Sequence, residues 1–564
     1  MLKRALSAAL FALAALGLFS QGVFAQEGRI AGTVVDSTTS RALPGVNVVV
    51  EGTQIGAATD SDGSFRLTNV PVGTNTLNVS FVGYRQKEVS VNVQEGSTTD
   101  VRIRIVPSRV QLEDVVVTAM GQERNERAVA TSVQKVEGAS LAEVENENFI
   151  NSLSGRVSGA SVRSSSTMGG SSNINIRGVS SLSGNNQPLI VVDGIVVDNS
   201  TNRTSGGDLN QAGGYGGYDY GNAAQSLNPS NIESISVLKG PSAAALYGSR
   251  GADGVIQITT KGGSRDDELG VTYSSSVQLS ESYELMDYQN KYGGGAPGSA
   301  FSTLDGDRRL NEQVDGNQDQ LVADYATDES WGPRLDGREV RQWYSWDDVN
   351  GLEGEATPWE AHPDNIENFL RTGTTYGNNL AVSQGQDNYN YRLSLNSRNT
   401  NGVMPNSSLD RYQVQFNGSL DLSDRLTATA VAKYSYEAGK GRSGTGYFVQ
   451  DEAQNRAQGG SNPFAQFNTF GQRQYDLGPD SYMRDYERPN GDQRGWNFFG
   501  ISGAKNGEFR FTDNPYVGRF ENFQTDDEQR IFGKAELGYD LTNRLTGTFM
   551  ITSDHRTERR QNRQ

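Results

Sequence analysis

NPSNIESISVLKGPSAAALYGSRGADGVIQITTK, residues 228–261, holds two β-branched runs, Ile232–Leu238 and Val255–Thr260, on either side of the small-residue segment 242–247. Gly240, Pro241, Gly248, Gly251 and Gly254 punctuate it. The pattern predicts strand, tight turn, short helix, turn and strand, a compact unit of about 30 residues. On pattern alone, the unit also fits a βαβ piece of a soluble enzyme.

Bulk properties narrow the field. Residues 1–25 read as an export leader: Lys3 and Arg4 precede the apolar run 5–19, which is short for a membrane span. Val23-Phe24-Ala25 offers a cleavage site before Gln26. The chain has no cysteine, so disulfides and thiolate metal sites are excluded. A formal charge of −17 argues against nucleic acid, whose phosphates demand a basic face. After the leader, no run of 18 apolar residues is present for a helical span. Transmembrane β-strands escape that objection, because only alternate residues meet lipid. The 66 glycines and 23 tyrosines fit such strands and fit a soluble β-rich protein equally well.

Upstream, GRIAGTVVD (28–36), PGVNVVVEG (44–52), IGAATDSDGSFRL (55–67), GTNTLNVSFVGY (73–84), KEVSVNVQ (87–94) and TDVRIRIV (99–106) are short alternating runs separated by turn residues. They predict a small two-sheet sandwich over 26–107. Asp60 and Asp62 before Gly63 resemble the opening of a calcium loop, but its distal glutamate is missing, and a hairpin turn is the expectation. In the linker 108–124, Val115, Val116, Val117 and Thr118, followed by Ala119, have high strand propensity and no evident partner. Such a segment suits addition to another protein's sheet edge; a last strand of the sandwich is the alternative.

Downstream of residue 263 the pattern changes to long strands and polar loops. Candidate strands are 269–279, 376–384, 389–398, 412–422, 426–436, 529–539 and 545–552. Short turns such as Ser423-Asp424 and Thr542-Asn543 alternate with connections of many tens of residues, the organisation of an outer-membrane barrel.

The segment LKGPSAAALYGSRGADGVIQITTK (238–261), with NINIRGVSSL (173–182) and PLIVVDGIVVD (188–198), closely resembles the plug of SusC/RagA-type TonB-linked outer-membrane receptors. WGPRLDGREVRQW (331–343), residues 358–385 and GVMPNSSLDRYQ (402–413) resemble the same family's early barrel. Residues 26–107 resemble its carboxypeptidase-regulatory-like, transthyretin-like module. The resemblance implies a mainly β chain: sandwich, linker with a TonB box (Val115 to Ala119), α/β plug over 125–263, and a transmembrane antiparallel β-barrel from 264 to 564. It assigns Arg177, Gly178, Asp193, Gly194, Lys239, Gly240, Tyr247, Gly248 and Arg250 to the plug signature, as structural rather than ligand-binding residues. Family barrels close with 22 strands, which need roughly 220 residues of span alone. About 300 residues, largely loop, follow the plug, so the chain reads as a receptor incomplete at its C-terminus, unable to insert and act alone.

The functional expectation is energised import of a large nutrient, an oligosaccharide or else a peptide, beneath a SusD-like surface lipoprotein. TonB with ExbB and ExbD supplies force from the periplasmic side, where the N-terminal domain lies, and outer-membrane lipid surrounds the barrel. A siderophore or cobalamin receptor and a surface adhesin are the alternatives. Tyr215, Tyr218 and Tyr220, in GGDLNQAGGYGGYDYG (206–221), offer stacking faces for sugar rings or peptide side chains, although a solvated loop is the default for such a segment. Trp331, Trp343, Trp346 and Trp359 read as loop anchors first and a sugar platform second. With only His362 and His555, no HExxH, no cysteine and no G-x-S-x-G, neither enzyme activity, cofactor nor metal is expected.

Overall fold

The computed structural model describes residues 27–563 apart from 38–40, 54, 82–83, 85, 106–114, 118–122, 126–132, 143–147, 166, 182–185, 201–214, 264–268, 284–285, 304–319, 324–326, 387, 445–447, 452–455, 459–461, 470, 499–513 and 543–544. The export leader therefore lies outside the described residues, as do Thr118 and Ala119. The chain divides into two compact units near residue 115.

The first unit is a two-sheet sandwich. One sheet has the order Ser64–Pro71, Glu27–Asp36, Thr98–Ile105; the other runs Gly56–Ala58, Asn47–Val50, Gly73–Ser80, Lys87–Val93. Alternate residues meet between the sheets, among them Ile30, Val48, Leu67, Leu77, Val91 and Ile103. At the suspected calcium loop, Asp60 Oδ1 accepts the backbone N–H groups of Asp62 and Ser64 at 3.0 and 2.9 Å. With Gly63 at φ 71°, this is a hairpin turn closed by its own carboxylate. Val115–Val117 belongs to neither sheet of the sandwich and pairs instead with Glu123–Asn125, a partner the sequence did not advertise.

In the second unit, the stretch 228–261 builds the centre of a five-stranded sheet. Its order is Val133–Glu137, Ile232–Leu238, Val255–Thr260, Leu189–Val192, Ile195–Val197. The two β-branched runs are antiparallel neighbours, which rules out a βαβ crossover. Helix Pro241–Tyr247 is tucked between them by Gly240 (φ 78°, ψ −153°) and Gly248 (φ 67°, ψ −154°). Only glycine reaches that backbone region at low cost, and Pro241 supplies the ready-made first helical turn. Ile174, Ile190, Val192, Ile235, Val237, Ile256 and Ile258 form the core. A hairpin, Ala160–Ser164 with Ser172–Ile176, carries a loop at its tip.

Around this plug stands a wall of seven antiparallel strands in sequence order: Gly270–Ser280, Gly373–Gln386, Tyr389–Asn401, Ser408–Ser423, Leu426–Lys440, Gln524–Thr542 and Leu545–Asn562. All seven candidate spans are present; the first is shifted by one residue and the other six are longer than expected at one or both ends. Adjacent rows across the wall have opposite character. Tyr273, Leu380, Leu395, Val414, Tyr434 and Ile531 are in register and exposed, Val414 at 40%. One residue along, Ser274, Asn379, Asn396, Gln413, Ser435, Arg530 and Arg556 are in register and face the plug side. Apolar outside and polar inside inverts a soluble sheet and matches a wall bathed in lipid.

The long connections, 281–372 and 441–523, leave the same end of the wall. They share a core of Trp343, Trp346, Trp359, Phe369, Phe467, Tyr475, Trp496 and Tyr516. Three of the four flagged tryptophans are thus anchors; Trp331 stays 53% exposed against Tyr292.

Candidate functional site

The plug meets the wall through polar groups. Asn231 Nδ2 donates to Ser394 Oγ at 2.8 Å, and Asn417 Nδ2 donates to Thr260 Oγ1 and the Lys261 carbonyl at 2.7 and 2.8 Å. Ser226 offers its carbonyl to both Gln413 Nε2 and the Lys433 ammonium. Above these, near the loop end, lies a buried charge cluster. Arg411 Nε donates to Glu437 at 2.7 Å, and Arg442 Nη2 reaches Glu437 at 2.9 Å and Asp526 at 2.8 Å. Gln225 of the plug joins by donating to Glu437 and accepting from Arg411. Two cations against two carboxylates balance, a condition for burying either.

Over the cluster opens a cleft of about 860 Å³. The plug contributes Arg163, Ser165, Thr167, Met168, Ser171 and Asp219; wall and loops add Thr375, Arg398, Thr400, Asn401, Asn462 and Phe464. Hydroxyls and amides dominate this lining. Asp219 is committed inward: it accepts the Ser171 N–H, the Ser171 hydroxyl at 2.7 Å and the Gly221 N–H at 3.0 Å.

The residues assigned to the plug signature form joints. Asp193 (φ 50°) and Gly194 (φ 85°) are the two central residues of the tight hairpin joining Leu189–Val192 to Ile195–Val197. Positive φ at both positions is the turn that matches strand twist and favours Asp-Gly. The Asp193 carboxylate accepts the Thr260 N–H at 2.9 Å and its hydroxyl at 2.7 Å. Burial lifts its pKa above the usual carboxylate range, opposed by those two donors and by Lys534 and Lys433. Arg177 (φ 61°) and Gly178 (φ 96°) make a second left-handed pair. Lys239 is buried and donates to Gln134 Oε1 and the Ser158 carbonyl at 2.8 and 2.7 Å; burial, then the Arg177 charge, lowers its pKa. Tyr247 packs half-buried beside Leu238 and Val255, and Arg250 is exposed.

Tyr218 and Tyr220 are buried, contrary to a solvated loop, and 6.3 Å apart. The Arg560 guanidinium covers the Tyr220 ring at 4.1 Å, with Arg442 at 5.9 Å. Tyr215 is placed by its backbone, pairing with Phe448–Asp451. Arg411, Glu437, Arg442, Asp526 and Asp219 were not singled out from the sequence. Their only signal was phase: Arg411, Glu437 and Asp526 fall on the inward-facing side of alternating strands.

The family model for the TonB-dependent Receptor Plug Domain matches residues 125–255, and that for the CarboxypepD_reg-like domain matches 30–117. TonB-dependent receptor SusC of Bacteroides thetaiotaomicron is 31% identical over 405 residues, 71% of this chain and 33% of that protein. TonB-dependent receptor P3 of Formosa agariphila is 29% identical over 407 residues, 72% of this chain and 32% of its own. The chain thus spans about a third of the length of these curated relatives. The solved RagAB peptide importer in its open-open state shares the fold: TM-score 0.50 and 19% identity, over 79% of this chain and 43% of that one. All three are receptors or importers by name, none an enzyme. Plug, inverted wall and relatives agree: the chain carries a TonB-dependent receptor plug domain and, over the third of their length that it spans, is similar to TonB-dependent receptors of the SusC type.

Proposed function

We propose that the whole receptor imports a large polar nutrient, an oligosaccharide or else a peptide, across the outer membrane. The cleft above the plug receives it, beneath a SusD-like lipoprotein acting as a lid. Its wealth of hydroxyls and amides suits a ligand with many hydrogen-bonding groups, and Phe464 and Met168 offer apolar contact. The sandwich and linker lie in the periplasm. There TonB, energised by ExbB and ExbD, adds Val115, Val116, Val117, Thr118 and Ala119 to its sheet edge and pulls.

The observation that carries this reading is the polar seat of the plug. Each plug–wall hydrogen bond contributes a net of only about 0.5–1.5 kcal/mol, because water replaces it when the surfaces part. Such a seat holds at rest and rehydrates under force, whereas an apolar one would resist wetting. Tyr220, packed beneath Arg442 and Arg560, and its ring neighbour Tyr218 support the floor of the cleft in this reading.

Deleting residues 115–119 from the full-length receptor tests it. Surface binding of the nutrient is expected to persist while uptake stops. Uptake that continues without those residues contradicts the proposal, and a parent receptor that binds the nutrient but never takes it up points to an adhesin.

A further inference from the structure

We propose that Arg442 is a positioning residue that ties the cleft floor to the seating of the plug. Its chain neighbours Gly441 and Ser443 line the cleft, while its own side chain turns away and is fully buried. All five guanidinium N–H donors are used. Nε and Nη2 donate to the two Asp526 carboxylate oxygens at 2.9 and 2.8 Å, and Nη2 also donates to Glu437 at 2.9 Å. Nη1 donates to the plug carbonyls of Met168 and Gly169 at 2.8 and 3.2 Å. Two wall carboxylates fix the plane of the fork, and its free prong grips the plug. Lysine, with three donors on one atom, has no equivalent geometry.

Two glycines admit this grip. Gly169 stands at φ 62°, and a Cβ there would lie 2.7 Å from Arg442 Nη1 and 2.6 Å from Leu409 Cδ2. At Gly439 a Cβ would lie 2.5 Å from Asp526 Oδ1 and 2.8 Å from Arg442 Nε. The gripped loop also faces the cleft through Thr167, Met168 and Ser171. From Ser171 the contact passes to Asp219, and from there along the chain to Tyr220 and to Gln225, which returns to Arg411 and Glu437. A ligand pressing on the loop therefore bears on the same fork that anchors the plug to the wall. This step rests on the cleft being the nutrient site.

Amide hydrogen exchange on the purified full-length receptor, with no nutrient and no TonB, reads the positioning directly. Arg442→Lys keeps the charge opposite Glu437 and Asp526 and gives up the two carbonyl contacts. The amides of Gly170 and Ser171, bonded to the Thr167 carbonyl and to Asp219, are expected to exchange about tenfold faster or more, while Ile232–Leu238 and Val255–Thr260 keep their protection. Gly169→Ala, which pushes the loop off an intact guanidinium, is expected to do the same and serves if the lysine variant does not fold. Unchanged exchange in the loop, or equal acceleration through the plug sheet, overturns the proposal. Because the readout involves no transport, its failure leaves the import reading standing, and a receptor that imports nothing leaves this result intact.

Discussion

Glu437→Gln is expected to destabilise the seated plug by about 3 kcal/mol, the lower end of what breaking a buried ion pair costs. The carboxylate serves two guanidiniums, accepting from Arg411 at 2.7 Å and Arg442 at 2.9 Å, with its side chain 13% exposed. An amide of the same shape keeps one acceptor oxygen and turns an NH₂ group toward a guanidinium. Arg442 retains Asp526, but Arg411 loses its carboxylate and the cluster gains one uncompensated positive charge. The slight exposure admits some water, which places the estimate at the low end. Thermal unfolding of the purified receptor checks it, with a lower melting temperature expected. If Glu437→Gln melts with the parent protein, the cluster is not what holds the plug.

Val414→Arg is expected to cost about 2–4 kcal/mol and to lower the amount of receptor assembled in the outer membrane. Val414 lies in the apolar row, between Leu395 and Tyr434 in register, at 40% exposure. In lipid, an arginine there must be dragged to an interface or carry its hydration with it. In a soluble protein the same substitution would break up an exposed apolar patch and improve behaviour in water. The sign of the effect therefore separates the two environments. Quantifying folded receptor in outer-membrane fractions reads it, with Val414→Leu as the silent companion.

The wall was legible in the sequence because its outward residues repeat every second position: Tyr391, Leu393 and Leu395 stand out against Arg392 and Ser394. Gly240, Pro241 and Gly248 likewise announced the turns of the plug before any contact was known. The charge cluster was not legible. Arg442 sits in GKGRSG, a loop with no local mark of burial, and its partners lie 84 residues away at Asp526 and 274 away at Met168. Tyr218 and Tyr220 looked solvated because glycine-rich sequence lacks periodicity; both are buried, and Tyr220 is covered by arginines contributed from elsewhere. The strand paired with Val115–Val117 was missed because ERN, residues 123–125, carries no strand propensity, and backbone pairing does not require it.

The central claim is that this plug sits inside this wall with its polar rim against the polar face. Residues 1–564 contain no cysteine, so Asn231→Cys and Ser394→Cys together add the two thiols of this part of the receptor, at positions whose native side chains meet at 2.8 Å. A short bifunctional thiol reagent applied to outer membranes carrying the full-length double variant is expected to link the two positions, and neither single variant is expected to give that product. Two freely reactive thiols with no link between them would contradict the claim.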